Sequence, residues 1–184
     1  APRAAGLVET NRYIPLTKLA DNFYPSQHEA GYLEGASFIE YLIQIYGWEK
    51  FLDLLGSFQQ SRSDSAILDA GLRLTYNKKL TEMESDYLAY LKTKADPRWT
   101  RDIEDTIRFY DTVRLYQSKF DRSAYYLNAW IPDIDRSVKD NITADYQRHP
   151  LQPINIALET MLVEADRGID SGNYDLAEKY LNAL

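Results

Sequence analysis

The sequence predicts an all-α fold, arranged as a helical bundle followed by an array of helical hairpins. Apolar residues recur every three or four positions along most of the 184-residue chain, which is the spacing of residues on one face of an α-helix. Alternation of apolar and polar residues never persists over several positions, so no strand is predicted. Glycine, proline and capping residues divide the helical pattern into separate elements.

A long helix is predicted after a short N-terminal tail. Residues 1–12 have no sustained apolar period and are expected to form a tail or linker. The next segment predicts a largely buried helix that stops at Gly47, because glycine accepts the left-handed conformation found at helix ends. Its apolar positions are Tyr32, Ala36, Ile39, Ile43 and Tyr46, and the stripe is widened by Phe38, Leu42 and Ile45.

Two more helices are predicted before residue 96. One ends at the polar run QQSRSDS and places four apolar residues on one face: Phe51, Leu54, Leu55 and Phe58. The other begins at a capping box, in which the Thr81 hydroxyl accepts from the Glu84 amide and the Glu84 carboxylate reaches back. This helix carries Met83, Tyr87 and Leu91.

Asp96-Pro97 is the predicted boundary between a first domain, residues 13–95, and a second helical domain, residues 96–184. Proline suits the first turn of a helix, and aspartate suits the cap before it. The helix that follows aligns Ile103, Ile107, Tyr110, Phe109, Val113, Tyr116 and Phe120. Pro132 should end or kink the next segment at Ile131, since proline has no amide proton. Two final helices flank the turn DSGN; their apolar residues are Ile154, Leu158, Met161, Ala165 and Ile169, then Ala177, Leu181 and Leu184.

Composition excludes several classes of function. Hydrophobic residues make up 45% and charged residues 27%, an ordinary globular profile, and the net charge of -7 argues against nucleic-acid or anionic-membrane partners. No apolar run approaches the roughly 20 residues of a membrane span. The chain has no cysteine, which excludes disulfides and thiolate metal sites. It begins at Ala1 without an initiator Met, which we interpret as a processed chain or a segment of a larger protein.

His28-Glu29 begins like the zinc-peptidase signature HExxH, but the residue four positions after His28 is Tyr32. A catalytic zinc needs three protein ligands, and HExxH presents its two imidazoles on one helical face. The other histidine, His149, lies far along the chain. The pattern SQHE is better explained as a capping box, with Ser26 as the N-cap and Glu29 three residues later.

Other catalytic constellations are also incomplete. Asp133-Ile134-Asp135 begins like a calcium loop, yet Val138 stands where that loop needs glycine and Ala144 where it needs glutamate. Three carboxylates lie near a predicted helix start, where they favour the helix dipole: Glu82, Glu84 and Asp86. No glycine-rich phosphate loop, G-x-S-x-G elbow or cysteine nucleophile is present in the sequence. We therefore expect no catalytic residue, cofactor or metal ligand in this chain.

Aromatic residues are abundant, at 13% of the chain, and 15 of them are tyrosines. Helical spacing favours core packing for three of them, Phe109, Tyr116 and Phe120. Tyr125, Tyr126 and Trp130 fit that spacing less well and form the candidate binding patch. Because Tyr and Trp combine a large apolar surface with a polar group, such a patch would suit a peptide or a glycan.

Two stretches, YLEGASFIEYLIQIYGWEKFLDLLGSF and AILDAGLRLTYNKKLTEMESDYLAYL, resemble the region downstream of the zinc site in gluzincin metallopeptidases of the peptidase MA-like type. In that family a helix of the form aY-x-x-g-x-S-F-x-x-Y-L leads to Y-G-x-x-K. A short helix and a closing helix follow, the latter with an acidic residue before an aromatic and Y-L. The first part is matched by Tyr32, Ser37, Phe38, Tyr41, Leu42, Tyr46, Gly47 and Lys50, and the last by Glu84, Tyr87, Tyr90 and Leu91.

The resemblance covers residues 13–94 and carries over no catalytic residue, because the family's HExxH and its third ligand, a glutamate, lie before this region. Tyr87 stands where the family usually has Trp, and the loop TYNKK looks longer than usual. The wide apolar stripes of successive helices would form a bundle wall that buttresses a site contributed from elsewhere. The resemblance implies zinc in a parent protein, an upstream catalytic domain as partner, and a bacterial parent that is exported or membrane-tethered.

The end of the chain, DSGNYDLAEKYLNAL, is similar to the turn and second helix of a tetratricopeptide-type hairpin, with Gly172, Tyr174 and Ala177 in the expected relation. No second copy at a period of about 34 residues is apparent. Solenoids need several units to bury a continuous core. The hairpin is therefore either a cap for further repeats or an antiparallel helix pair.

Two functional hypotheses remain open at this point. The first is a non-catalytic, helical C-terminal segment of a gluzincin-like metallopeptidase, which supports a zinc site outside this chain and is extended by a helical interaction domain from about Asp96. The alternative is a stand-alone helical binding module that recognises a peptide or glycan, or a protein ligand, through Tyr125, Tyr126 and Trp130.

Overall fold

The fold is all-α, as predicted. A computed structural model describes residues 1–23, 28–58, 63–121 and 152–184, and no strand occurs in these ranges. Their helices are α1 (Pro2–Glu9), α2 (Leu16–Asp21), α3 (His28–Tyr46), α4 (Trp48–Gly56), α5 (Asp64–Tyr76), α6 (Leu80–Lys92), α7 (Pro97–Lys119), α8 (Pro153–Asp170) and α9 (Tyr174–Ala183). Among these helices, none is long and apolar enough to cross a membrane.

The helices divide into two units, Ala1–Ile103 and Glu104–Leu184, and the division falls inside α7. Asp96 caps α7, since its Oδ1 accepts from the Arg98 amide at 2.9 Å. Pro97 occupies the first turn, where the amide proton that proline lacks would have no helical partner. The prediction for the start of this helix is confirmed.

The N-terminal residues form a packed helix, so the prediction of a tail or linker over residues 1–12 is wrong. Four consecutive residues of α1 are buried: Ala4, Ala5, Gly6 and Leu7. A Cβ atom at Gly6 would lie 2.7 Å from the carbonyl oxygen of Trp99, so only glycine permits this close approach. Because small residues contribute little to an apolar pattern, periodicity does not reveal a helix that packs through them.

The buried face of α3 differs from the predicted one. Its buried side chains after the first turn are Glu34, Ser37, Phe38, Tyr41 and Leu42. Four residues of the predicted stripe are instead exposed: Tyr32, Ala36, Ile39 and Ile45. The apolar pattern favoured the wrong stripe because two of the buried positions are polar. Glu34 tolerates burial because it accepts a hydrogen bond from the Ile14 amide.

The helix α4 also exposes part of its predicted face. Gly47 separates α3 from α4 with a φ of 90°, a value that favours glycine, as its place at the helix end predicted. Phe51 and Leu54 are buried, whereas Leu55 and Phe58 are exposed. Two of the four predicted residues, Phe51 and Leu54, therefore belong to the core.

The predicted capping box at Thr81 and Glu84 is also wrong. The helix α6 begins at Leu80, and the Lys79 amide donates to the Glu82 carboxylate at 2.8 Å. Glu84 lies two positions after Glu82, and its carboxylate bonds to a different part of the chain. The helix begins earlier than predicted because Leu80, which is buried, extends it before Thr81.

The core of the first unit is formed by large side chains that are fully buried. They come from α1 and from α3 to α6: Leu7, Leu42, Leu54, Leu72, Met83, Tyr87 and Leu91. The helix α3 packs against α1, α4 and α6, and α5 packs against α2, α4 and α6. Glu34 and Glu84 therefore lie on helices, α3 and α6, that pack directly against each other.

The second unit has a core built by α7, α8 and α9. Its buried residues are Phe109, Val113, Tyr116, Leu162, Ala165, Ile169, Ala177 and Leu181, whereas Phe120 is exposed, contrary to its predicted place in the stripe. The two final helices are confirmed. They approach closely at Gly168, where a Cβ atom would lie 2.9 Å from the backbone nitrogen of Ala177. Asn173 caps α9, since its Oδ1 accepts from the Leu176 amide at 3.3 Å.

Candidate functional site

A short non-helical segment crosses the first unit between α1 and α2. The amides of Arg12 and Tyr13 both donate to the Leu7 carbonyl, at 2.7 Å and 3.0 Å, and Asn11 has a φ of 56°. These contacts form a turn directly after α1. Residues 13–16, which we call the strap, then run to the start of α2.

Two carboxylates hold the strap. Glu34 on α3 accepts from the Ile14 amide at 2.8 Å. Glu84 on α6 accepts from the Leu16 amide at 2.7 Å and from the Tyr13 hydroxyl at 2.9 Å. Amides before and at the start of a helix have no helical acceptor, so side chains of the bundle satisfy them here. The strap is thereby bonded to two helices of the core.

Burial controls the protonation of this pair. Glu34 is 0% exposed, and its Oε2 atom has no hydrogen-bond partner among the residues that the structure describes. Removal from water and, to a smaller extent, the charge of Glu84 raise the pKa of Glu34 to about 8, against the opposing effect of the Ile14 amide. Glu34 therefore holds a proton at neutral pH while its Oε1 still accepts from Ile14.

Two tyrosines complete the cluster. Burial, reinforced by Glu84, raises the pKa of Tyr13 far above its usual value. Burial also raises the pKa of Tyr87, and the neighbouring Ser37 hydroxyl opposes that rise. Both phenols are therefore neutral over the whole range in which proteins are normally studied. Of Glu34 and these two tyrosines, Glu34 is the group whose charge changes near neutral pH.

The cluster has the components of an acid/base pair but lacks access to a substrate. Two neighbouring carboxylates can serve as general acid and general base. A catalytic carboxylate must also come within hydrogen-bond reach of the reacting group, whereas Glu34 is completely buried. We interpret the pair as a structural element that fixes the strap.

An aromatic layer lies beside the carboxylates and joins α3 to α6. The ring of Tyr87 lies 5.3 Å from that of Phe38 and 5.4 Å from that of Tyr41, measured between centroids. Tyr41 is also 5.1 Å from Tyr90 and 6.2 Å from Tyr46. These separations are typical of favourable aromatic pairs. The layer continues to α5, where Tyr76 lies 4.8 Å from Tyr46.

The structure brings only some of the candidate residues into this site. Glu84 belongs to it. Glu82 caps α6 instead, and Asp86 forms an ion pair with Lys78. His28 begins α3, but the side chains of His28 and Glu29 lie outside the described part of the chain.

Several candidates cannot be placed. The proposed capping residue Ser26, the predicted break at Pro132, the Asp133 segment and His149 fall outside the described residues. The candidate binding patch lies outside them as well: Tyr125, Tyr126 and Trp130. The hypothesis of a peptide- or glycan-binding patch at these positions therefore stays a prediction.

Within the described ranges, no group of three or more His, Cys, Asp or Glu residues is arranged to hold a metal ion. No protein-family model matches the chain, and neither a curated protein nor a solved structure matches it.

Glu34 is the residue of the site that the sequence pattern did not reveal. Because glutamate is seldom buried, a glutamate in a helix normally indicates the face of that helix that is exposed to solvent. Phe38, Tyr41 and Leu42, which lie four, seven and eight positions later, share one face with Glu34 at helical spacing. Reading that face as buried, polar residue included, would have identified it.

Proposed function

We propose that this chain is the non-catalytic, helical C-terminal part of a gluzincin-like metallopeptidase, where it supports a zinc site located outside the chain. The observation that carries the proposal is the aromatic layer between α3 and α6. Phe38, Tyr41 and Tyr46 belong to the first stretch that resembles the peptidase MA-like family, and Tyr87 and Tyr90 belong to the last.

The residues of the two stretches that carry the resemblance therefore pack against each other. Stretches that match by chance have no reason to contribute to one packed layer, whereas a supporting bundle requires such packing between its helices. Leu42 and Leu91, which also match, are both buried. The pattern is one of packing residues, which supports a scaffold role and assigns no catalytic residue to this chain.

Several features of the parent protein follow from the same proposal. Zinc would be bound by HExxH and a further glutamate upstream of Ala1, and the upstream catalytic domain would be the partner of the first unit. The second unit, residues 104–184, would extend it as an interaction domain. The exported or membrane-tethered location that the resemblance implies belongs to this proposal as well.

The first experiment measures zinc. The purified chain, dialysed and analysed by mass spectrometry of metals, should contain far less than one zinc per molecule and should not hydrolyse casein. Tight equimolar zinc would contradict a zinc site outside the chain. Three protein ligands are required for a catalytic zinc, so this measurement separates a supporting segment from a complete enzyme.

The second experiment examines the gene upstream of the codon for Ala1. An HExxH motif followed by a further glutamate ligand would support the proposal, and the longer protein should then bind one zinc and hydrolyse casein. A start codon or an unrelated domain directly upstream would contradict it. In that outcome the alternative, a helical binding module for a peptide, glycan or protein, becomes the hypothesis to test through Tyr125, Tyr126 and Trp130.

The longer protein also allows a test of support itself. Replacing Tyr87, which is 0% exposed at the centre of the aromatic layer, by Leu should lower the temperature at which the protein releases zinc. Tyr32→Leu is the matched control, because Tyr32 is 55% exposed on the same bundle. Equal zinc-release temperatures for the two variants would contradict a supporting role for the layer.

A further inference from the structure

The strap depends on carboxylates for its attachment. Within the described residues, side-chain hydrogen bonds join the strap to the rest of the first unit from Ile14 to Glu34 and from Tyr13 and Leu16 to Glu84. Ile14 and Leu16 are buried, at 8% and 3% exposure. An open strap would therefore expose two apolar side chains and two backbone amides.

We propose that Glu34 and Glu84 form a proton-controlled latch: the strap is closed on α3 and α6 while Glu34 carries a proton, and loss of that proton favours its opening. The geometry that supports the latch is the complete burial of Glu34, the single amide bonded to its Oε1, and an Oε2 atom that receives no hydrogen bond within the described residues. A charge at that position would be shielded from bulk water and, within the described residues, would have no second donor to stabilise it.

The groups around Glu34 add to this effect. The strap contributes Tyr13, and α6 contributes Tyr87 and the carboxylate of Glu84, which disfavours a second negative charge. The charged groups of α1 and α2 are engaged or directed elsewhere: Arg3 pairs with Asp102, Asp21 bonds to Ser65, and Glu9 and Lys18 are exposed.

The direction of the pH dependence follows from linkage. The pKa of Glu34 is about 8 with the strap closed, compared with a usual value of 4.5 when the carboxyl is in water. Opening therefore releases a proton between these two values. The opening equilibrium constant should rise with pH across that window, by at most about tenfold per pH unit. Above about pH 8 both forms have lost the proton, and the constant should level off.

Hydrogen exchange measures this opening directly. The amides of Ile14 and Leu16 should be followed by NMR from pH 5 to pH 9 in the intact chain, with rates divided by the intrinsic rate at each pH. We expect their protection factors to fall as pH rises and to become constant above about pH 8. Protection factors that stay constant across this range would overturn the proposal.

Glu34→Gln is the decisive variant, because glutamine keeps an oxygen for the Ile14 amide but cannot ionise. The protection of Ile14 in this variant should be independent of pH. Glu49→Gln is the matched control on an exposed position of α4, and it should keep the wild-type dependence. Because both variants keep the two histidines, the comparison isolates the contribution of Glu34.

Glu84→Gln provides a second test that does not rely on folding of the first variant. It removes the neighbouring negative charge but keeps an acceptor for Tyr13 and Leu16. The pH at which protection levels off should therefore move down. An unchanged midpoint would contradict the role of Glu84 in the latch, and the wild-type profile alone still tests the role of Glu34.

Discussion

The two units of the molecule each contain a fully buried glutamate, and the two carboxylates serve different contacts. In the first unit, Glu34 accepts a hydrogen bond from a backbone amide of the non-helical strap. In the second unit, Glu159 on α8 accepts from the Tyr116 hydroxyl of α7 at 2.5 Å. The first contact ties an irregular segment to a bundle, and the second joins one helix to another.

This difference shows two ways of satisfying a buried carboxylate. A tyrosine on a neighbouring helix moves with the packed core, so its bond persists as long as the helices stay together. A backbone amide on a short connection can leave without separating any helices. We therefore expect the first unit to open locally and the second to lose its buried bond only when its helices separate.

The largest effects should come from the cores themselves. Tyr87→Ala should destabilise the first unit by about 3–5 kcal/mol, and Leu162→Ala should destabilise the second by about 2–5 kcal/mol, because both residues are fully buried. Hydrogen exchange followed by mass spectrometry should show the loss of protection confined to the unit that carries the substitution. Loss spread equally over residues 1–103 and 104–184 in both variants would contradict two separate cores.

The pH dependence should also distinguish the units. Burial and the neighbouring Asp170 raise the pKa of Asp166 from 3.8 to about 6, so its protonated form is favoured by folding. Its contribution to stability is complete below about pH 4 and is lost by about pH 6. The corresponding loss for Glu34 continues to about pH 8.

Between pH 6 and pH 8, exchange should therefore change in the first unit more than in the second. Asp166→Asn should remove the change of α8 between pH 4 and pH 6 and leave the strap unaffected. If residues 152–184 of that variant still lose protection over this interval as in the wild type, Asp166 is not the group responsible.

Removal of single hydroxyl groups should have smaller effects. Tyr116→Phe removes a donor to a fully buried carboxylate and should cost about 1–3 kcal/mol. Tyr13→Phe removes a donor to the less buried Glu84 and should cost about 1 kcal/mol. Urea denaturation of both variants provides the comparison, and a larger loss for Tyr13→Phe would reverse the assignment of the deeper carboxylate.

The smallest effect should come from an apolar residue that the sequence pattern placed in the core. Ile39 is 42% exposed, so Ile39→Gln should change the free energy of unfolding by no more than about 0.5 kcal/mol. Leu42→Ala, on the buried face of the same helix, should cost about 2–5 kcal/mol. A cost of several kcal/mol for Ile39→Gln would show that the predicted stripe was the right one.

The prediction from sequence was most successful where apolar residues alone decide the packing. Val113, Ala165, Ile169 and Leu181 follow helical spacing and are buried. The sequence also indicated the turn at Gly47 and the cap at Asp96, since both depend on the chemistry of one residue. The all-α class follows from these features.

The parts that were missed depend on contacts between distant segments. The burial of Glu34 requires the Ile14 amide, 20 positions earlier in the chain, and the packing of Gly6 requires the backbone of Trp99. The spacing of apolar residues indicates neither contact, because Glu34 is polar and Gly6 has no side chain. Of the candidate site, the sequence identified Glu84 as a carboxylate of interest, but not its partner or its role.

The close packing at Gly6 limits how the protein can be shortened. A version that starts after Arg12 would discard the buried Ala4, Ala5 and Leu7 and leave Ile103, which is 2% exposed in the intact fold, without its cover. It would also remove the Leu7 carbonyl that orients Tyr13. Removal of residues 1–12 should thus yield an aggregation-prone protein. Any version of the first unit made for crystallisation or display should therefore begin at residue 1.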